Sequence, residues 1–127
     1  MNQFLHTAII VKNPDTAADF LQRAFGWEMS GKMSIPGRVE IIRMSHGSGE
    51  LELLHYADDA EELPASRYYG LAHIAVDVSD LEGEMGRMEG LGATLIDKVP
   101  RMLPDGSRVA FLSCLDGLQI ELIERAG

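Results

Sequence analysis

The sequence predicts an α+β fold in which one supersecondary unit is used twice. Three observations carry this expectation. Strand-like and helix-like runs follow the order β-α-β-β in each half, Gly and Pro punctuate the segments between them, and matched landmarks recur at a nearly constant offset. His6 and His73 are 67 residues apart, Gly26 and Gly92 are 66 apart, and Glu52 and Glu121 are 69 apart. Self-similarity at a fixed offset is the mark of a duplicated unit.

In the first half, FLHTAIIV (Phe4 to Val11) reads as a strand of branched and long apolar residues. NPDTAADFLQRAFG then reads as a helix, with Asn13 as N-cap, Pro14 at the first helical position and Gly26 closing it. Ala17, Phe20, Leu21, Ala24 and Phe25 give this helix one apolar face. After a loop containing Gly31, Pro36 and Gly37 come two strands, RVEIIRMS and ELELLHY, joined at His46-Gly47-Ser48-Gly49. A further short strand can be placed near Glu28 to Met33.

The second half repeats the order. LAHIAVDV (Leu71 to Val78) is a strand, and Ser79-Asp80-Leu81-Glu82 has capping-box spacing ahead of a helix carrying Leu81, Met85, Met88 and Leu91, ended by Gly92. Gly83 and Gly86 sit inside that helix, each at a cost of about 1 kcal/mol relative to Ala. ATLIDKV, the loop PRMLPDG, RVAFLSC and GLQIELIE complete the set. The boundaries predict a single domain over 1–127 made of two modules, about 1–56 and 71–127, with a surface linker over 57–70 that starts acidic and has no apolar period.

The chain of 127 residues is long enough to bury a core. A net charge of -9 and a pI near 4.8 argue against nucleic acid or an anionic membrane as partner, since both require clustered Lys and Arg. A small-molecule substrate is the expected partner. The lone Cys114 excludes an internal disulfide and a Cys-rich zinc cluster. With no signal peptide in the first turns and no apolar run approaching the roughly 20 residues of a membrane helix, the expected location is cytoplasmic.

Four polar residues interrupt apolar strands. His6 shares a strand face with Phe4, Ala8 and Ile10, and His73 with Leu71 and Ala75. Glu52 lies between Leu51 and Leu53, and Glu121 between Ile120 and Leu122. A buried, unpaired carboxylate costs several kcal/mol, so each Glu needs a partner. Two imidazoles and two carboxylates related by a duplication suit one divalent metal ion, whether Zn, Ni, Co, Mn or Fe. A lone strand His is more often a core or rim histidine, and a lone Glu beside Leu an edge residue facing water; the repeat-matched set is what favours ligation. His46, in a turn, and His55, of opposite parity to Glu52, are expected at the surface, as are Glu50 and Glu124.

LHTAIIV, LELL, GLAHIAVDV with its following helix, and DGLQIELIE resemble the vicinal oxygen chelate superfamily over nearly the whole chain, and most closely its glyoxalase I-like members. The resemblance implies two tandem βαβββ modules forming a curved mixed sheet around a metal cavity, often in a homodimer. By the same resemblance the metal ligands are His6, Glu52, His73 and Glu121, with Glu121 or Glu52 as the catalytic base. The implied activity is that of a metal-dependent isomerase or lyase, lactoylglutathione lyase-like, which moves a proton next to a carbonyl through a metal-bound enediolate.

Alternatives of other classes are a methylmalonyl-CoA epimerase-like enzyme, an Fe(II) ring-cleaving dioxygenase and a small-molecule (drug) binding protein. Glutathione-using relatives carry an Arg four residues after the first ligand; this place is Ile10 here, which leaves a glutathione carboxylate without that partner. Epimerases share an ELLH-like stretch resembling Glu52 to His55, with a longer glycine-rich approach to the last strand than Leu115-Asp116-Gly117. Dioxygenases of the superfamily use two His and one carboxylate, so Glu52 would fill a position they keep open. Arg38, Arg43, Arg67, Arg101 and Arg108 are the available anchors if the substrate is acidic. Two loops, Gly31 to Gly37 and Asp97 to Ser107, each combine Gly, Pro, Met and a basic residue, and read either as lids over the substrate or as ordinary surface connections.

Overall fold

The structure, a computed structural model, describes residues 3–58 and 69–127. Most of the expected linker over 57–70 therefore lies outside the described residues. The chain divides into two compact units, Met1–Glu61 and Glu62–Gly127, and each is an α+β unit built on its own mixed sheet.

In the first unit the order is β1 (His6–Ile10), α1 (Pro14–Phe25), β2 (Glu28–Ile35), β3 (Val39–Ser45) and β4 (Glu50–Tyr56). The sheet order is β1-β4-β3-β2, with β1 parallel to β4 and the other pairs antiparallel. α1 begins and ends as its capping residues dictate. The Asn13 side chain accepts from the Thr16 amide, Pro14 opens the helix, and Gly26 closes it at φ 70°, with its N–H bonded to the Gln22 carbonyl. Ala17, Ala18, Leu21 and Ala24 are buried, and α1 packs on β3 and β4. The opposing sheet face supplies Ile42, Met44, Leu51 and Leu53, all buried. Small alanines on the helix let it lie close to those larger side chains.

The second unit repeats the plan with one addition: β5 (Ile74–Asp77), α2 (Leu81–Gly90), β6 (Thr94–Leu95), β7 (Arg101–Met102), β8 (Arg108–Cys114) and β9 (Leu118–Glu124). Its sheet order is β5-β9-β8-β6, with β7 also paired to β8. Leu81, Met85 and Met88 of α2, Ala110 and Leu112 of β8, and Ile120 and Leu122 of β9 are buried; α2 packs on β6, β8 and β9.

Several expectations change in detail. The supposed loop over Gly31 to Gly37 is mostly strand: β2 runs to Ile35 and pairs with β3 through a bulge between Met29 and Gly31, leaving a tight turn at Pro36-Gly37. The segment is one arm of a hairpin, and the strand expected near Glu28 to Met33 extends to Ile35. ATLIDKV contracts to Thr94–Leu95 because Ile96 and Asp97 both donate to the Phe111 carbonyl, while the Asp97 carboxylate accepts the Phe111 N–H at 2.7 Å. A side chain has taken a ladder position, so regular pairing stops.

The α2 cap is Asp80, whose side chain accepts from the Gly83 amide, and not Ser79. Glu82 consequently does not close a capping box; it pairs with Arg108. Gly83 also gains an explanation. A Cβ there would run into the Asp80 carboxylate that makes the cap. Glu124, expected at the surface, instead accepts from the Leu81 amide at 3.0 Å and pairs with Arg108, tying the end of β9 to the start of α2.

Candidate functional site

In the first unit, β1 and β4 run in parallel with His6 opposite Glu50 and Ala8 opposite Glu52. The His6 ring leans diagonally past Ala8, and its Nε2 lies 3.4 Å from Glu52 Oε1. Ala8 is what permits this, since a larger side chain opposite Glu52 would stand between the two. In the second unit Ala75 is opposite Glu121, and His73, two residues before Ala75, places its Nε2 3.3 Å from Glu121 Oε1. The duplication thus reproduces a His-Ala-Glu arrangement to within about 0.1 Å in the pair distance. Ala8 and Ala75 contribute only by being small, so their chemistry gave no signal; their place two residues after each His is the one they could have been found by.

Both carboxylates are largely desolvated, with side chains 11% (Glu52) and 14% (Glu121) exposed, while the imidazoles are 40% and 34% exposed. His73 precedes β5 and His6 is the first residue of β1, so each ring sits where its strand enters the sheet. Two donors bound side by side to one cation at about 2.1 Å are separated by roughly 3.0 Å at octahedral and 3.4 Å at tetrahedral angles. The observed 3.4 and 3.3 Å fit that range, and neutral imidazole with carboxylate is a donor set for a borderline divalent metal. Each pair supplies two donors: among the described residues no group of three or more His, Cys, Asp or Glu side chains stands close enough together to hold a metal ion.

The surroundings of the two pairs differ. Across the antiparallel ladder from Glu52 is Arg43, and its Nε donates to Glu52 Oε2 at 3.1 Å. Across from Glu121 is Phe111, which meets the His73 ring edge-to-face at 4.9 Å. Arg101 lies over the Phe111 ring, its guanidinium carbon 5.6 Å from the centroid, and is paired with Asp97. Arg101 is thus held in β7 and by Asp97, not carried on an open loop. Arg108 is held by Glu82 and Glu124, and Arg67 lies outside the described residues.

The remaining histidines stand apart from the pairs. His55 is exposed, with Nδ1 3.1 Å from the Val11 carbonyl. His46 is half-buried against Trp27, with ring centroids 5.2 Å apart. Glu50 accepts from the Ser30 hydroxyl at 2.6 Å. A cavity of about 710 Å³ lies at the N-terminal end of α1, lined by Lys12, Asn13, Lys32, Glu40 and His55 among others. It includes none of the paired residues. Burial pushes the Cys114 thiol up to about 12, so it is a protonated, inert side chain at neutral pH.

This fold, with its twice-used module, is that of a known class, and the sequence agrees: the chain belongs to the Glyoxalase/Bleomycin resistance protein/Dioxygenase superfamily, which matches residues 5–111. It is 30% identical to the lactoylglutathione lyase of Neisseria meningitidis serogroup A over 128 residues, covering 97% of this chain and 91% of the relative. Among solved structures, a glyoxalase family protein from Bacillus cereus superposes with a TM-score of 0.84 at 21% identity, covering 100% of this chain and 96% of that one. The trypanothione-dependent glyoxalase I of Leishmania major gives 0.77 at 24% identity, covering 98% and 87%. Both structural likenesses are likenesses of fold. No described helix is long and apolar enough to cross a membrane.

Proposed function

We propose that the protein is a divalent-metal-dependent lyase or isomerase of the glyoxalase I-like kind, moving a proton between adjacent carbons next to a carbonyl. His6, Glu52, His73 and Glu121 are its ligands, and the two halves complete one set, drawn from one chain or from two chains of a homodimer. The substrate is a small molecule met in the cytoplasm. The observation that carries this reading is the recurrence of the same His Nε2 to Glu Oε1 approach in both modules, at 3.4 and 3.3 Å. The lactoylglutathione lyase relative supports the reaction class.

When bound, the cation would polarise the substrate carbonyl and offset negative charge developing beside it. The protein's own contribution is the proton. Glu52 Oε2 is engaged by Arg43, whereas the second oxygen of Glu121 meets no partner among the described residues. Glu121 is therefore the carboxylate able to reach a substrate C–H, and Glu52 the one held in place. Phe111 and the apolar strand around Glu121 limit water at that oxygen, which keeps the abstracted proton for return to the neighbouring carbon.

Solvent deuterium exchange tests this. Metal-loaded protein incubated in heavy water with α-hydroxycarbonyl or α-acyl thioester candidates should incorporate deuterium at the carbon beside the carbonyl, and Glu121→Gln should lower the rate by about 10²-fold or more. Oxygen uptake dependent on Fe(II), without exchange, would instead assign the dioxygenase class.

A further inference from the structure

The two modules match strand for strand around their His-Glu pairs, yet the residue facing the glutamate across the ladder is Arg43 in one and Phe111 in the other. In only one half does a cation face the glutamate across the ladder, and holding Glu52 uses little of its donor capacity. Only its Nε meets an acceptor among the described residues, Glu52 Oε2 at 3.1 Å. Both Nη groups, carrying four N–H donors, are left without one. The next residue across the sheet from Arg43 is Gly31, just after the β2 bulge, and a Cβ there would lie 3.8 Å from Nη1. The absence of a side chain at Gly31 leaves that flank of the guanidinium uncovered. The Arg43 side chain is 37% exposed, so an acceptor can reach it from solvent and gain a charge-assisted bond.

We infer that Arg43 is the specificity-determining anchor for a carboxylate of the substrate, lying beside the carbonyl that undergoes proton transfer. This deepens the proposed function and rests on it for the position of the reacting carbonyl. The other arginines lack this arrangement. Arg101 is bidentate to Asp97 and covers Phe111, Arg108 is divided between Glu82 and Glu124, and Arg38 is roughly 16 Å along the strand from Arg43. A single guanidinium beside Glu52 and Glu50, in a chain of net charge -9, suits a monoanion and its flat fork suits a carboxylate; a phosphate dianion would meet too little positive charge. The substrate class is therefore a carbonyl compound with a carboxylate on the adjacent or next carbon, as in 2-oxo acids and malonyl-type half-thioesters.

The test uses malonamate, a monoanion with a carbonyl one carbon from its carboxylate, and its neutral analogue malonamide. Both are titrated calorimetrically into metal-free and metal-loaded full-length protein. Wild type should bind malonamate at least roughly tenfold more tightly than malonamide, a difference of about 1.4 kcal/mol. Arg43→Phe, which copies the Phe111 arrangement, should abolish the preference in the metal-free protein as well as in the metal-loaded one; Arg43→Gln serves if the Phe variant misfolds, and Arg43→Lys should keep part of it. A preference unchanged in Arg43→Phe or Arg43→Gln, no binding of malonamate to either form of wild type, or tighter binding of inorganic phosphate would each overturn the carboxylate anchor. Arg43-dependent malonamate binding in a protein that takes up no metal would sustain the anchor and refute the metal reading instead.

Discussion

His73 stands edge-on to Phe111, with ring centroids 4.9 Å apart and planes at 89°. The imidazole whose Nε2 faces Glu121 is therefore oriented by packing. Removing this support should weaken ligation without removing a ligand. Phe111→Leu is expected to lower metal affinity by about tenfold and stability by roughly 1–2 kcal/mol. Competition with a metallochromic chelator measures the first and chemical denaturation the second; unchanged affinity would show that His73 needs no such support.

Ala8 faces Glu52 across the β1–β4 ladder and leaves the diagonal open to His6. Ala8→Val puts two methyl groups into that gap. Since Ala8 is exposed, the change in stability should stay within about 1 kcal/mol. Metal affinity should nevertheless drop by an order of magnitude or more, and the same dissociation should appear for Ala75→Val.

Two glycines of α2 should respond in opposite directions. Gly86 has nothing within 4 Å of an added Cβ, so Gly86→Ala should raise stability by about 0.5–1 kcal/mol. Gly83→Ala gains the same helix propensity but displaces the Asp80 carboxylate from the N-cap, which costs about 1 kcal/mol. Thermal unfolding should therefore place Gly86→Ala above wild type and Gly83→Ala level with it or below.

Burial moves the Cys114 thiol from 9.0 up to about 12. Below the unfolded value the thiol is protonated in both states and its contribution to stability is complete. Between about 9 and 12 the unfolded chain has lost a proton that the folded chain keeps, so this contribution falls by about 1.4 kcal/mol per pH unit. Unfolding measured from pH 8 to 11 should show wild type losing stability more steeply than Cys114→Ala, with the gap between them narrowing as pH rises. Parallel curves would mean that the thiol titrates normally.

What could be read from the sequence follows from how local its cause is. The α1 helix from Asn13 to Gly26 was legible to the residue because its cap, its Pro14 and its αL glycine act within one turn. The His-Glu pairs were legible because the duplication fixed which His belongs with which Glu, without any knowledge of the sheet. β2 is legible only as a short strand near Glu28 to Met33, since Gly31, Pro36 and Gly37 are turn-favouring residues and only pairing with β3 carries the strand on to Ile35. ATLIDKV has the composition of a full strand, and the Asp97 carboxylate that stops it acts through Phe111, 14 residues away. Arg43 could not be separated from Arg38, Arg101 or Arg108 in one dimension: its significance lies in the register Arg43 to Glu52, and that register exists only once β3 and β4 are paired.

As proposed above, His6, Glu52, His73 and Glu121 together hold one divalent cation. Metal content per chain, measured by elemental analysis on protein purified without chelator and on His6→Ala, His73→Ala, Glu52→Gln and Glu121→Gln, tests it most directly. Wild type should hold one equivalent per chain and every variant should lose it, with variants in either module equally damaging to the same ion. Two equivalents per chain with each pair binding on its own, or metal content indifferent to all four substitutions, would contradict it.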